Sequence, residues 1–175
     1  MSEGRVWRYG DNVDTDVIIP ARYLMTSDEN VLATHAMEDL DPRFASEVEP
    51  GDVVVAGANF GCGSSREHAA TCLKAAGVSI VATSFARIFF RNAINTGLTA
   101  VVCPQAVAAT AAGDRVTVDV ERGEVVNHTK GLTFETERLP GFVMDIVEAG
   151  GLVPWVRSAL ERAAEEKRRT LEERV

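Results

Sequence analysis

Gly61-Cys62-Gly63-Ser64-Ser65-Arg66-Glu67-His68 is the stretch on which the reading of this chain turns. Just before it, Val53-Val54-Val55-Ala56 is an apolar run of strand length. Just after it, Ala69 to Ala76 carries helix formers until Gly77 stops them. A strand, a glycine turn and a helix in that order leave free backbone N–H groups and the positive end of a helix dipole aimed at one spot. Such a spot attracts a carboxylate or a phosphate. Ser64 and Ser65 add short donors there, and Arg66 adds a planar fork matched to a carboxylate. The plainer role is a helix cap, with Ser64 or Ser65 capping and Glu67 in the first turn. Two serines followed by an arginine favour the anion site.

Three familiar loops do not fit. A Walker loop needs a lysine after its last glycine, where Ser64 and Ser65 stand. A hydrolase elbow needs a glycine two residues beyond its serine, and Arg66 and Glu67 occupy those places. A dinucleotide fingerprint wants a third glycine at Arg66.

Outward from the loop, strand-like runs at Asp52–Ala56, Val78–Ala82 and Ala100–Cys103 alternate with helical patterns at Ser65–Ala76 and Ala86–Thr96, the second closed by Gly97. That alternation implies parallel pairing through right-handed crossovers. Arg5 to Tyr9 alternates like an edge strand, and Val17-Ile18-Ile19-Pro20 is a short apolar run stopped by proline. Tyr23 to Asn30 is polar, and a short helix is expected over Val31 to Met37, broken by Asp41-Pro42-Arg43-Phe44. Arg115–Asp119, Glu124–Val126 and Leu132–Glu135 read as short strands joined by tight turns at Gly123 and Gly131. Pro140–Ala149 reads as a helix closed by Gly150-Gly151. Leu152 to Val175 reads as a charged helix whose apolar positions thin out after Leu160, mostly a solvated face. The expectation is one α/β domain over residues 1–175: a mostly parallel sheet flanked by helices, with residues 152–175 as an appended C-terminal helix.

The chain has 175 residues, 46% of them hydrophobic and 25% charged, enough for one substantial core. A net charge of -8 argues against nucleic acid, whose phosphates need a basic face. No apolar run reaches the ~18 residues a bilayer span needs, and Glu3, Arg5 and Arg8 interrupt any signal-like segment. A cytoplasmic protein is the expectation. The three cysteines, Cys62, Cys72 and Cys103, form no C-x-x-C, so reduced thiols are expected and neither a disulfide nor a metal centre. Cys72 and Cys103 read as core residues. Cys62 reads as a turn filler, with a lowered thiol pKa as the other possibility beside Arg66.

Three ordered motifs carry a family resemblance: Asp14-Thr15-Asp16-Val17-Ile18-Ile19-Pro20, Phe60 to Ala69, and Ser84 to Leu98. In order and spacing they resemble the small subunits of the isopropylmalate dehydratase and homoaconitase family, the free-standing swivelling domain of aconitase-type enzymes. The likeness spans Val6 to Leu152. It implies an aconitase-type swivelling domain that is active only with a large subunit. That partner would carry a [4Fe–4S] cluster, and this chain would bind no cofactor. Carried over residue by residue, Ser64 would be the base that takes a proton from carbon, while Ser65 and Arg66 would bind a substrate carboxylate. Asp16, Gly61, Gly63 and His68 would support the site; a turn cap is the plainer role for Asp16, and a structural hydrogen bond for His68. Arg87 and Arg91 lie four apart on one helix face and either reach the site or face solvent. Asn92 and Asn95 are expected to brace that helix end.

Specificity would sit in Tyr23-Leu24-Met25-Thr26. An arginine at Met25 would suit the extra carboxylate of homoaconitate, whereas a thioether packs against a branched alkyl group. The resemblance therefore implies a hydro-lyase acting on isopropylmalate in leucine biosynthesis. Homoaconitase and dimethylmalate- or methylmalate-type dehydratases are the alternatives within the family. Thr26 matches the homoaconitase form of the segment. A stand-alone module that senses a carboxylate or phosphate is the alternative of another class. The two further motifs count against it, because a sensor needs only the loop.

Overall fold

Valine-rich runs of three to five residues are too short for helices and supply both faces of a sheet. The computed structural model describes residues 3–172. Chain order runs β1 (Gly4–Arg8), α1 (Thr15–Ile18), a 3-10 turn (Ala21–Tyr23), α2 (Glu29–Ala33), α3 (Phe44–Glu47), β2 (Val53–Ala56), α4 (Glu67–Ala75), β3 (Ser79–Ala82) and α5 (Arg87–Thr96). It continues with β4 (Ala100–Val102), α6 (Pro104–Ala109), β5 (Arg115–Asp119), β6 (Glu124–Asn127), β7 (Leu132–Glu135), α7 (Gly141–Glu148) and α8 (Leu152–Glu172). The strands form one seven-stranded sheet in the order β4-β3-β2-β1-β5-β6-β7. β1 to β4 pair in parallel, with Val6 opposite Val53, Val54 opposite Ile80 and Val81 opposite Val101. β5 joins β1 antiparallel, and β6 and β7 follow as antiparallel hairpins. The parallel half arises where helices alternate with strands, the antiparallel half where tight turns do.

The expected edge strand at Arg5–Tyr9 is instead central, between β2 and β5. Its alternation misleads because both faces are covered. Val6 packs with Val53, Val55, Val81 and Val116 on one side, and Trp7 packs with Val54, Phe44 and Ile80 on the other. The flanking arginine does not mark a wet face: the Arg5 guanidinium lies 4.4 Å over the Trp7 ring and donates to the Glu47 carbonyl at 2.8 Å. Buried Asp52 takes the Trp7 indole N–H at 2.9 Å and the Arg5 backbone N–H at 2.8 Å.

The two sides of the sheet differ in cover. α2, α4 and α5 pack the first side, where Phe60, Leu73, Ile80 and Phe89 are buried. α6 and the antiparallel strands pack the second, around Val81, Val101, Val107 and Val125. The expected helix over Val31–Met37 begins earlier, because the Asp28 carboxylate accepts from the N–H groups of Asn30 and Val31 and caps α2. It also ends earlier. Met37 turns to φ 61 and is buried, with its N–H bonded to the Ile18 carbonyl at 2.8 Å. Gly97 closes α5 in the left-handed conformation, as its position predicts. The bracing expected of Asn92 and Asn95 falls instead to Thr96, whose hydroxyl donates to the carbonyls of Asn92 and Ala93.

α8 leaves the body after packing on α5 and α7, and its residues from Leu160 to Arg169 are exposed. The last residues of that expected helix, including the Glu173-Arg174 charge pattern, lie outside the described residues. No helix among the described residues is long and apolar enough to cross a membrane.

Candidate active site

Each of the three motifs begins at the carboxyl end of a neighbouring parallel strand or just beyond it, where open α/β sheets gather ligands. Backbone bonds stitch them together. The Gly61 N–H donates to the Val13 carbonyl at 2.8 Å and the Thr15 N–H to the Cys62 carbonyl at 2.8 Å. On the other flank the Phe60 N–H donates to Ser84 at 3.0 Å, and the Ala86 N–H to Phe60 at 2.9 Å. Beneath the serine loop lies an aromatic floor. Phe60 meets Phe89 edge-on with centroids 5.2 Å apart, and Phe85 stacks on Phe89 at 6.1 Å.

Both loop glycines are structurally required. Gly61 has φ 76, and a Cβ there would stand 2.1 Å from the Phe89 ring. Gly63 has φ 87, and a Cβ there would stand 2.3 Å from the Asp14 carboxylate. So the loop is pressed against the aromatic floor on one side and against Asp14 on the other, which leaves Ser64 and Ser65 displayed to solvent.

Neither serine caps α4. The capping position is held by extended Arg66, no side chain bonds the first turn, and the helix begins at Glu67. The plain-cap role is therefore overturned, and the start of α4 faces outward uncapped by any side chain, with Glu67 the acidic group of its first turn. Among the described residues the Ser64 hydroxyl has no hydrogen-bond partner, while its carbonyl accepts from the buried Thr15 hydroxyl at 2.9 Å. Arg66 is largely buried; its guanidinium donates to the Ile19 carbonyl at 3.3 Å and pairs with the Asp16 carboxylate. Asp16 thus orients the arginine. The turn cap proposed for it belongs to Asp14, which accepts the Asp16 N–H at 2.7 Å and starts α1.

Asp14 and Thr15 hold the serine loop in place, a part that the sequence reading did not give them. The signal was present in the Asp-Thr-Asp spelling itself: an aspartate followed two residues later by an N–H it can accept is a local turn device.

The His68 side chain makes no hydrogen bond among the described residues, so the structural side-chain bond expected of it is absent. It lines a shallow groove of about 330 Å³ with Ser27, Glu29, Leu32, Glu67 and Thr71, which brings the segment after Thr26 beside the start of α4. Within that segment Met25 is 96% exposed. Tyr23 and Leu24 pack partly against the core, and the Thr26 hydroxyl accepts the Asp28 N–H at 3.1 Å. Arg87 and Arg91 are exposed and make no ion pair among the described residues.

The thiols are dispersed. Cys72 is fully buried on α4, and burial pushes it up to about 12; Cys103 is buried on the opposite side of the sheet. Cys62 lies in the loop, where burial and then the charge of Asp14 push its thiol up, against the lowered value considered for it. Among the described residues no three His, Cys, Asp or Glu side chains gather as a metal site. This donor set does not fit an iron–sulfur cluster.

Fold and site together define an α/β domain that presents hydroxyls, a braced guanidinium and a helix start on an open face. Residues 9–106 match the aconitase C-terminal domain family. The chain is 52% identical over 159 residues to the 3-isopropylmalate dehydratase small subunit of Thermodesulfovibrio yellowstonii, covering 90% of this chain and 95% of that one. It is 56% identical over 158 residues to the 2,3-dimethylmalate dehydratase small subunit of Eubacterium barkeri, covering 90% and 97%. The crystal structure of a 3-isopropylmalate dehydratase from Methanocaldococcus jannaschii superposes with a TM-score of 0.88 at 42% identity, over 94% of this chain and 98% of that one. The chain belongs to the aconitase C-terminal domain family, in its 3-isopropylmalate dehydratase small-subunit group.

Proposed function

We propose that this chain, acting as one swivelling domain, is the small subunit of a heteromeric hydro-lyase that interconverts 2- and 3-isopropylmalate by loss and re-addition of water. The observation that carries the reading is a Ser64 hydroxyl without a partner among the described residues, on a loop fixed from both sides and next to a guanidinium already oriented by Asp16. Ser64, as its alkoxide, takes the proton from carbon and becomes a hydroxyl, while the adjacent carbon expels hydroxide and an alkene forms. The proton that Ser64 gave up in forming the alkoxide neutralises that hydroxide, so the net products are alkene and water. A serine alkoxide is a strong base that must be stabilised before it exists, and the start of α4 and Arg66 provide positive potential at that place. Ser65 and the free side of Arg66 receive a substrate carboxylate.

The site lies open, with Ser64, Ser65 and Met25 exposed, so a second protein surface is needed to exclude water. We assign that surface to a large subunit, in keeping with the small-subunit names of the relatives, and assign the [4Fe–4S] cluster that the family resemblance implies to that partner. Three free thiols accord with a cytoplasmic setting.

The relative from Eubacterium barkeri supports a second reading, a dimethylmalate dehydratase small subunit. Apolar Met25 suits either alkyl group and disfavours a third carboxylate. The test is co-purification with the large subunit, followed by turnover of isopropylmalate, dimethylmalate and homoaconitate. Isopropylmalate should give the highest kcat/KM, and Ser64→Ala should lower kcat by at least about a thousandfold while the complex still assembles. Near wild-type kcat in Ser64→Ala, or a preference for homoaconitate, would overturn the assignment.

A further inference from the structure

Glu38 stands outside the three motifs, yet it gathers three side chains around the start of the segment assigned to specificity. Its carboxylate accepts the Tyr23 hydroxyl at 3.0 Å, takes the Arg22 guanidinium at 2.5 Å and meets His35 Nδ1 at 2.7 Å. The Tyr23 ring stacks on His35 with centroids 3.6 Å apart and planes 8° from parallel. The Arg22 guanidinium lies 4.8 Å over the other part of this cluster, the Tyr23 ring, and also reaches Asp39 at 2.7 Å. Chain connectivity explains why the cluster matters. Tyr23 ends the 3-10 turn, and Met25 follows two residues later with 96% of its surface exposed. With so little of Met25 covered, its direction depends on the backbone of its neighbours, Tyr23 held by this cluster and Leu24 packed against the core. Arg22 and then His35 hold the Glu38 carboxyl down at about 2, so it is an anion at neutral pH.

We propose that Glu38 is a positioning residue for substrate selection: by clamping Tyr23 through its hydroxyl and through Arg22 and His35, it pre-orients Met25 toward the substrate's alkyl group. This rests on the dehydratase reading above, in which Met25 meets that group. A clamp of this kind lowers the ordering that substrate must impose on the segment, so its loss appears in KM and in discrimination before kcat. Glu38 does not touch the reacting atoms.

The experiment compares wild type, Glu38→Ala and Glu38→Gln in two assays. The first is amide hydrogen exchange over residues 21–28 in the isolated chain. Glu38→Ala should speed exchange there by at least about tenfold, with α4 and α5 unchanged. Glu38→Gln keeps an acceptor for the Tyr23 hydroxyl but loses the charge on Arg22, and should fall between. The second assay is kinetics of the complex with its large subunit. Glu38→Ala should raise KM for isopropylmalate about tenfold with kcat within about twofold, and shrink its preference over dimethylmalate. Unchanged exchange in Glu38→Ala overturns the clamp. Equal losses toward both substrates, or a fall confined to kcat, mark a role other than selection and overturn it as well. A wild-type complex with no dehydratase activity sinks the functional reading instead, and the exchange assay still decides whether Glu38 holds the segment.

Discussion

Replacing Gly63 with alanine perturbs the serine loop where it leans on Asp14, and the cost can be worked out in parts. The backbone there has φ 87, which costs a residue bearing a Cβ about 1–2 kcal/mol. The added carbon would stand 2.3 Å from one Asp14 carboxylate oxygen and 2.4 Å from the other. The carboxylate must then swing away and surrender the Asp16 N–H that it holds at 2.7 Å. Losing such a cap costs about 1 kcal/mol. The expected loss is therefore about 2–3 kcal/mol, measured by urea unfolding of the isolated chain. Gly113→Ala supplies the control, because Gly113 has φ 82 but no atom within 4 Å of the added carbon. It should lose only the backbone part, about 1–2 kcal/mol. In an Asp14→Ala background the Gly63→Ala penalty should shrink to that of Gly113, since the two side chains no longer collide. Equal penalties at Gly63 and Gly113 in the wild-type background would refute the claim that the loop is seated on Asp14.

Arg66→Lys should raise KM for isopropylmalate by about tenfold or more, because one ammonium cannot hold Asp16, the Ile19 carbonyl and a substrate carboxylate together; steady-state kinetics of the complex check it. Met25→Arg should weaken isopropylmalate and improve homoaconitate turnover, read as a reversal in the ranking of kcat/KM; an unchanged ranking means that Met25 does not read the substrate. Cys62 should resist iodoacetamide near neutral pH, since burial and Asp14 hold its thiol above the usual range and keep the thiolate scarce. Its alkylation should accelerate only as pH climbs past that range, and Asp14→Asn should move the curve to lower pH, followed by mass spectrometry. A Cys62 that reacts as fast as a free thiol would contradict the environment described here.

Much of the parallel half and the serine loop was legible in the residues. Glycines at Gly61 and Gly63, the valine runs and Gly97 act locally, and local chemistry survives into the fold. Misreadings arose where a distant partner decided the outcome. Arg5 and Arg8 gave β1 the look of an edge, but Trp7 finds its hydrogen-bond partner in Asp52, 45 residues away. Ser64 had the right chemistry for a cap, yet the Thr15 hydroxyl holds its carbonyl from 49 residues away and the hydroxyl is left to solvent. Asp16 was expected to support the site, but that it would do so by pairing with Arg66, fifty residues on, is something no spacing rule shows. The Glu38 cluster was invisible for the same reason. Its members are polar, and a polar segment carries no periodicity to reveal that it is anchored.

The unfinished start of α4 has a consequence for how the free subunit should respond to its ligand. A helix of nine residues that lacks a side-chain cap is under-stabilised at its first turn. At the carboxylate site proposed above, a substrate arriving at Ser65 and Arg66 would supply the missing acceptor and so complete the secondary structure that receives it. Affinity and local folding are then one equilibrium. Small dicarboxylates should slow amide exchange at Glu67 and His68 even without the large subunit, and monovalent anions such as chloride should do so far less.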